Sequence, residues 1–81
     1  MDKFKYKTYR CEWQLQFITV DQYGKTMRVD RVIPFATYDE AKEARPNYAV
    51  EHKYVKERWI PKDATNDYQE VEISYREVEV K

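Results

Sequence analysis

The sequence predicts an α+β fold: a small antiparallel sheet of about four strands (β-β-α-β-β) with one short helix packed on one face. Three observations predict it. Apolar and polar residues alternate from Tyr9 to Val20, they alternate again from Tyr68 to Val80, and between these stretches residues 37–45 carry helix start and stop signals. At 81 residues the chain is the size of one domain, so residues 1–81 are expected to form a single compact unit.

The first predicted strand runs from Tyr9 to Val20 and is expected to lie centrally in the sheet, because its apolar row is the longest in the chain. Phe4 and Tyr6 fall in the opposite phase. A slip of one residue exchanges the faces of a strand, so we expect a bulge near residues 7–9. Residues 21–25 predict a hairpin loop around the single glycine, Gly24, at a position that needs a left-handed residue. A second strand then follows over residues 26–33.

The helix is predicted over residues 38–45. Thr37 is a suitable N-cap, and Glu40 stands three residues later, where its carboxylate can complete a capping box on the Thr37 N–H. Pro46 ends the prediction, because proline disfavours helical geometry in the residue before it. The apolar side of this helix is expected to comprise Tyr38, Ala41 and Ala44, with Arg45 beside them.

The stretch from Tyr48 to Ile60 is ambiguous. Its β-branched and aromatic residues favour a strand with a second bulge, whereas the spacing of four between Val50 and Tyr54 favours a helix. Residues 61–67 predict a polar turn, and residues 68–80 a last strand whose phase changes after Tyr75. The predicted core residues are Trp13, Leu15, Phe17, Val29, Ile33, Ala41, Val71 and Ile73.

Composition argues against several classes of function. The formal net charge is zero, and the chain has one cysteine, one histidine and one glycine. Neither a nucleophile–base pattern, nor a phosphate-binding glycine loop, nor a zinc ligand set is present. We therefore expect no catalytic residue, no metal and no cofactor, and the protein is not expected to be an enzyme. The sequence contains neither a secretory signal nor an apolar run long enough for a membrane span, which predicts a cytoplasmic protein without a membrane partner.

Charge is distributed unevenly between the two ends of the chain. Lysine and arginine alternate with other residues near the start, and glutamates alternate near the end. If the terminal strands are neighbours, these rows are expected to meet as cross-strand ion pairs, and the glutamates are otherwise a solvated strand face. The alternative is a basic strand that binds nucleic acid, with tyrosine stacking on bases, although the zero net charge disfavours it. The residues of this alternative are Lys3, Lys5, Lys7, Tyr9 and Arg10.

Aromatic residues favour protein binding. Eight tyrosines, three phenylalanines and two tryptophans exceed what one face of a small sheet and a short helix can cover. Tyrosine, tryptophan and arginine concentrate binding energy at protein interfaces, although exposed tyrosines can also simply border a sheet. Open sheet edges add a second route, because they invite a homodimer or a partner's strand. The predicted protein-binding residues are Tyr6, Arg10, Tyr54, Arg58, Tyr75 and Arg76.

The helix region reads Thr-Tyr-Asp-Glu-Ala-Lys-Glu-Ala at residues 37–44, within a chain rich in tyrosine, lysine and glutamate. In these features the chain resembles small orphan proteins encoded by bacteriophages. Many such proteins bind and inhibit a host protein, including the inhibitors of CRISPR and other defence systems. The resemblance implies a non-enzymatic protein-binding module that inhibits or modulates a host protein, and it assigns no site residue.

Overall fold

The computed structural model describes residues 7–80. Its elements are β1 (Thr8–Val20), β2 (Thr26–Phe35), α1 (Tyr38–Tyr48), β3 (Ala49–Glu51), β4 (Trp59–Pro61) and β5 (Gln69–Val80). The strands β2, β1 and β5 form a three-stranded antiparallel sheet in that order, and β3 and β4 form a separate two-stranded hairpin. The α+β class and the central position of the first strand are confirmed. The predicted single sheet of four strands is instead divided into a sheet of three strands and a sheet of two.

The β1–β2 hairpin turns where the sequence predicts it. Gly24 has a φ of 80°, in the left-handed region that glycine enters without steric cost. The carboxylate of Asp21 accepts hydrogen bonds from the backbone N–H groups of Tyr23 (2.8 Å) and Lys25 (2.9 Å). Two backbone hydrogen bonds, from the Asp21 N–H to the Lys25 carbonyl (2.9 Å) and from the Gly24 N–H to the Asp21 carbonyl (3.0 Å), close the turn together with this side chain.

The bulges lie elsewhere than predicted. The pairing of β1 with β5 runs from Thr8↔Val80 to Thr19↔Gln69 without a shift, so the described residues contain neither of the bulges expected in the terminal strands. The register shifts occur instead between β1 and β2, where the pairing passes over Met27 and Asp30. Alternation near the chain ends misled the prediction because neither face of the sheet is covered there.

The bulge at Asp30 also overturns one core prediction. Val29 pairs with Ile18, whereas Arg31 pairs with Phe17, so Val29 points to the face of the sheet opposite the helix. It is 47% exposed. The rest of the predicted core is confirmed: Leu15, Phe17, Ala41 and Val71 are buried, and Trp13, Ile33 and Ile73 pack against them. Ala49 completes the buried cluster, and Phe35, Ala44, Tyr48 and Trp59 border it. We call the face of the sheet that carries this core the inner face.

The helix begins as predicted. The Thr37 hydroxyl accepts a hydrogen bond from the Glu40 N–H (3.1 Å), while the Glu40 carboxylate accepts from the N–H of Ala36 (3.2 Å) rather than from Thr37 itself. The predicted end is wrong, because α1 continues through Pro46 to Tyr48. The Tyr48 ring packs edge-on against Phe17, with centroids 5.9 Å apart, and this core contact holds the last turn in helical geometry.

The segment after the helix forms neither the continuous strand nor the helix that the sequence left open. The short strands β3 and β4 pair from Ala49↔Pro61 to Glu51↔Trp59, and residues 52–58 form the loop between them. The ring nitrogen Nδ1 of His52 accepts hydrogen bonds from the backbone N–H groups of Tyr54 (3.1 Å) and Val55 (3.0 Å). At this point the backbone N–H groups bond to the His52 side chain instead of to a neighbouring strand. The predicted strand is therefore interrupted.

The fold is elongated, with extents of 56 × 27 × 19 Å. The last pair between β1 and β2 is Trp13↔Phe35, whereas β1 and β5 remain paired as far as Thr8↔Val80. Residues 8–12 and 76–80 therefore form a two-stranded projection, which we call the terminal ribbon. No helix in the described part of the chain has the length and apolarity needed to cross a membrane.

Candidate functional site

Among residues 7–80, the terminal ribbon has backbone hydrogen-bonding groups without a strand partner. The Val20 N–H donates to the Tyr68 carbonyl (2.7 Å), and these two residues stand opposite each other in the β1–β5 register. Because hydrogen-bonded pairs alternate along an antiparallel ladder, the even-numbered residues of β1 and β5 bond each other, and the odd-numbered residues direct their N–H and C=O groups outward. In the ribbon, the outward groups belong to Tyr9 and Cys11 on one edge and to Glu77 and Glu79 on the other.

Within residues 7–80, β2 pairs with the rest of the β1 edge, whereas β5 is an edge strand along its whole length. On the β1 side, β2 ends opposite Trp13. On the β5 side, the hairpin of β3 and β4 packs against the first half of β5, where Arg58 forms an ion pair with Glu70. No strand in the described part of the chain pairs with either ribbon edge, so both edges can accept another strand.

The face of the sheet opposite the helix, which we call the outer face, carries a row of polar side chains along β1. Arg10 forms an ion pair with Glu12 (3.3 Å), Gln14 donates to the same carboxylate (3.3 Å), and Gln16 donates to the Gln14 side-chain oxygen (3.0 Å). Gln16 is only 5% exposed. The polar side chains of this row hydrogen-bond to one another, and the Glu12 carboxylate neutralises the charge of Arg10.

The structure divides the predicted protein-binding residues between two places. Residues that stand directly opposite each other in the β1–β5 pairing share a face, and Arg76 stands opposite Glu12. Arg10, which stands opposite Val78, is two residues from Glu12 in the same strand. Both arginines therefore lie on the outer face of the terminal ribbon. Tyr75 lies at the base of the ribbon on the inner face, with its ring centroid 4.7 Å from that of Trp13. A hydrogen bond with the Cys11 side chain, and then the charge of that group, raise the pKa of Tyr75. Tyr6 lies outside the described residues.

The other two predicted residues lie beside β3 and β4. Tyr54 is 81% exposed at the loop between these strands. Arg58 is tied down, since it pairs with the Glu70 carboxylate and donates to the Asp67 carbonyl. Glu70 is about 20 Å from Arg76 along β5, so Arg58 cannot share one compact patch with the ribbon residues. In this structure Arg58 links β5 to the preceding loop.

Only some residues of the nucleic-acid alternative lie within the described part of the chain. Lys3 and Lys5 lie outside the described residues, and Lys7 is exposed just before β1. Tyr9 and Arg10 are neighbours in a strand and therefore point to opposite faces. A nucleic acid that stacks on Tyr9 would thus lie on the face opposite the Arg10 side chain.

The terminal strands are neighbours, but Arg10 does not form the predicted cross-strand ion pairs. Its partner is Glu12 in the same strand. Glu77 and Glu79 stand opposite Cys11 and Tyr9 and so lie on the inner face, away from Arg10. For Arg10 the prediction was wrong because it compared the charge of whole strands, whereas pairing depends on which face each side chain occupies. Lys3 and Lys5, which belong to the same prediction, lie outside the described residues.

A second exposed surface, at the hairpin end of the sheet, was missed by the sequence analysis. Tyr23, Met27 and Tyr68 are exposed around a groove of about 520 Å³ that also includes Val20. The β1–β2 pairing passes over Met27, so its side chain does not continue the alternation of β2. The sequence signal that indicates this surface is a tyrosine in each of two turns, Tyr23 and Tyr68.

Side chains capable of chemistry are dispersed. Within residues 7–80 no three His, Cys, Asp or Glu side chains lie close enough together to hold a metal ion. The Ser74 hydroxyl donates to Glu72 (3.4 Å), and His52 uses Nδ1 to hold its own loop. Cys11 is exposed on the terminal ribbon.

No protein-family model matches the chain, and searches of curated proteins and of solved structures found no match either.

Proposed function

We propose that the protein is a non-enzymatic protein-binding module that pairs the terminal ribbon with an extended strand of its partner. The observation that carries this proposal is the pair of open ribbon edges, with outward backbone groups at Tyr9 and Cys11 and at Glu77 and Glu79. In strand addition, main-chain hydrogen bonds supply affinity, and the side chains next to the edge supply specificity.

Side chains around the ribbon suit such an interface. Tyr9 and Tyr75 are both exposed on the inner face, and Arg76 is exposed on the outer face. Aromatic and arginine side chains are the residue types that contribute most to binding at protein interfaces. The resemblance to small bacteriophage proteins makes a host protein the proposed partner, and inhibition or modulation of that protein the proposed effect.

The experiment is an affinity capture from bacterial lysate, with and without nuclease, using the wild type and two edge variants. Cys11→Pro and Glu77→Pro each remove an outward N–H and leave the hydrogen bonds of the even-numbered residues in place. Tyr54→Ala changes an exposed aromatic residue away from the ribbon and is the matched control. Far-UV circular dichroism and thermal melts establish that each variant is folded.

We expect one protein to be enriched in both nuclease arms, to be retained by Tyr54→Ala, and to be lost with at least one edge variant. Equal capture by folded Cys11→Pro and Glu77→Pro would show that the ribbon edges are not the binding site. Enrichment that disappears with nuclease would support the nucleic-acid alternative instead.

A further inference from the structure

The two ribbon edges differ in charge, and this difference identifies the kind of strand each could accept. We infer that the edge of β5 from Tyr75 to Val80 binds an extended basic segment of the partner, with lysine or arginine at alternate positions opposite Glu77 and Glu79. This inference rests on the proposed function and adds the chemistry of the partner and the edge that it uses.

The outward backbone groups provide the docking geometry. Tyr75, Glu77 and Glu79 are odd-numbered, so their N–H and C=O groups point away from β1. An added strand would find matching hydrogen-bonding groups about every 7 Å along this edge, the distance between alternate residues of a strand. The side chains of the same three residues share the inner face, and so would alternate side chains of the added strand.

Charge decides which strand fits. Glu77 and Glu79 are exposed. The ion pairs found within residues 7–80 join Arg10 to Glu12, Arg28 to Asp30 and Arg58 to Glu70, and none of them uses these two carboxylates. Lysine or arginine directly across from each glutamate would form cross-strand pairs, whereas an acidic strand would be repelled.

The β5 edge of a second copy of the chain does not fit this edge. Antiparallel pairing of β5 with itself about Glu77 would place the two Glu77 side chains opposite each other. Pairing about Val78 would place Glu77 opposite Glu79, and pairing about Arg76 would place two arginines together. Each of these registers sets like charges side by side on the same face, which destabilises a pair of strands.

The β1 edge shows no comparable preference. It opens onto a notch of about 440 Å³ lined by residues 10–12 and 34–36. Its two charged residues, Arg10 and Glu12, already pair with each other. A strand added at the β1 edge would not meet a row of side chains that carry the same charge, so the inference is confined to β5.

The test uses two capped peptides of seven residues, one alternating threonine with lysine and one alternating threonine with glutamate. Each is titrated into the ¹⁵N-labelled full chain up to millimolar concentration, and amide shifts are followed. We expect the lysine peptide to shift the amides of residues 75–80 and the glutamate peptide to leave them unchanged. Absence of shifts at residues 75–80 with the lysine peptide would overturn the inference.

Variants separate backbone pairing from charge. Glu77→Gln and Glu79→Gln are each expected to weaken binding of the lysine peptide about 1.4- to fivefold, the range measured for cross-strand charge pairs. The double variant Glu77→Lys/Glu79→Lys is expected to reverse the preference in favour of the glutamate peptide. Glu77→Pro should abolish binding of the lysine peptide, with Cys11→Pro as the control on the opposite edge.

The inference and the proposed function fail in different ways. If both peptides bind equally and Glu77→Pro abolishes both, strand addition stands and the charge inference is wrong. If the lysine peptide binds Glu77→Pro as well as it binds the wild type, the contact is charge attraction without strand pairing, and the inference is wrong. Loss of the captured lysate protein in Cys11→Pro alone would place the partner on β1, supporting the proposed function and overturning the choice of β5.

Discussion

Asp30 shows how one side chain stabilises an irregular position in the sheet. The β1–β2 pairing passes over this residue, and its carboxylate compensates by reaching across to β1, where the Thr19 hydroxyl donates to it (2.7 Å). Arg28 pairs with its other oxygen. The hydrogen bond from Thr19, followed by that from Arg28, lowers the pKa of Asp30 below its ordinary value of 3.8.

The stabilising effect of Asp30 should therefore depend on pH. A carboxyl group whose pKa is lowered by folding stabilises the fold above its ordinary pKa, and this contribution is lost as the pH falls through the lowered value. We expect Asp30→Asn to be less stable than the wild type at pH 7, and the difference to shrink below about pH 4. Urea melts at pH 7, 4 and 2.5 measure this, and Asp63→Asn is the control. A difference that is constant with pH would exclude the ionised carboxylate as its cause.

At the scale of single elements, helix α1 contains a conflict between local preference and tertiary packing. Pro46 lies inside the last turns, where its ring removes one backbone hydrogen bond and disfavours helical geometry at Arg45. The N–H of Ala49 nevertheless closes the helix by bonding to the Arg45 carbonyl, and Tyr48 packs on Phe17. Core contacts thus hold a helix end that the sequence by itself disfavours.

Replacing this proline should stabilise the protein. Pro46→Ala restores the missing N–H and a good helix former, at the cost of a more flexible unfolded chain. We expect the free energy of unfolding to rise by about 1–2 kcal/mol, because the gain in the helix exceeds the entropic loss. Chemical denaturation measures this, with the exposed neighbour Asn47→Ala as control. A destabilised Pro46→Ala would mean that the helix ends before Pro46, as the sequence predicts.

The bulges in β2 make a prediction about register. Val29 and Val71 are the same residue type and both were predicted in the core, but Val71 is 1% exposed and Val29 faces away from the helix. We expect Val71→Ala to lower the free energy of unfolding by about 2 kcal/mol and Val29→Ala to change it by less than about 0.5 kcal/mol. Equal losses measured by urea denaturation would contradict the bulged register.

At the scale of the whole molecule, stability and binding occupy different regions. The buried cluster lies between the helix and the middle of the sheet, and the terminal ribbon extends past it with only one strand pair. Few buried apolar contacts and open edges are features of low local stability. The proposed binding region is thus the part of the sheet that the core supports least.

Amide hydrogen exchange measures this division directly. We expect the amides of Tyr9, Cys11, Glu77 and Glu79 to exchange at nearly unprotected rates, because they point away from the β1–β5 ladder. Those of Arg10 and Val78 should be slower, and those in the buried middle of β1 slowest. Equal protection of odd and even residues in the ribbon would show that its edges are covered, for example by a second copy of the chain.

Much of the fold could be predicted from local signals. Thr37 and Glu40 mark a helix start through hydrogen bonds between near neighbours, and Gly24 marks a turn through its own backbone freedom. Alternation over residues 13–17 identifies the row of the central strand that packs in the core. For the candidate site, the aromatic content predicted exposed tyrosines. Each of these features depends on residues within a few positions of one another.

Tertiary structure alone decided the rest. The bulges at Met27 and Asp30, the continuation of α1 to Tyr48 and the division of residues 49–61 into two short strands depend on partners distant in the chain. The same holds for the ribbon edges, since only the end of β2 opposite Trp13 leaves Tyr9 and Cys11 open. Register and covering elements are set by packing and hydrogen bonds across the sheet, and a single sequence does not reveal which distant residues meet.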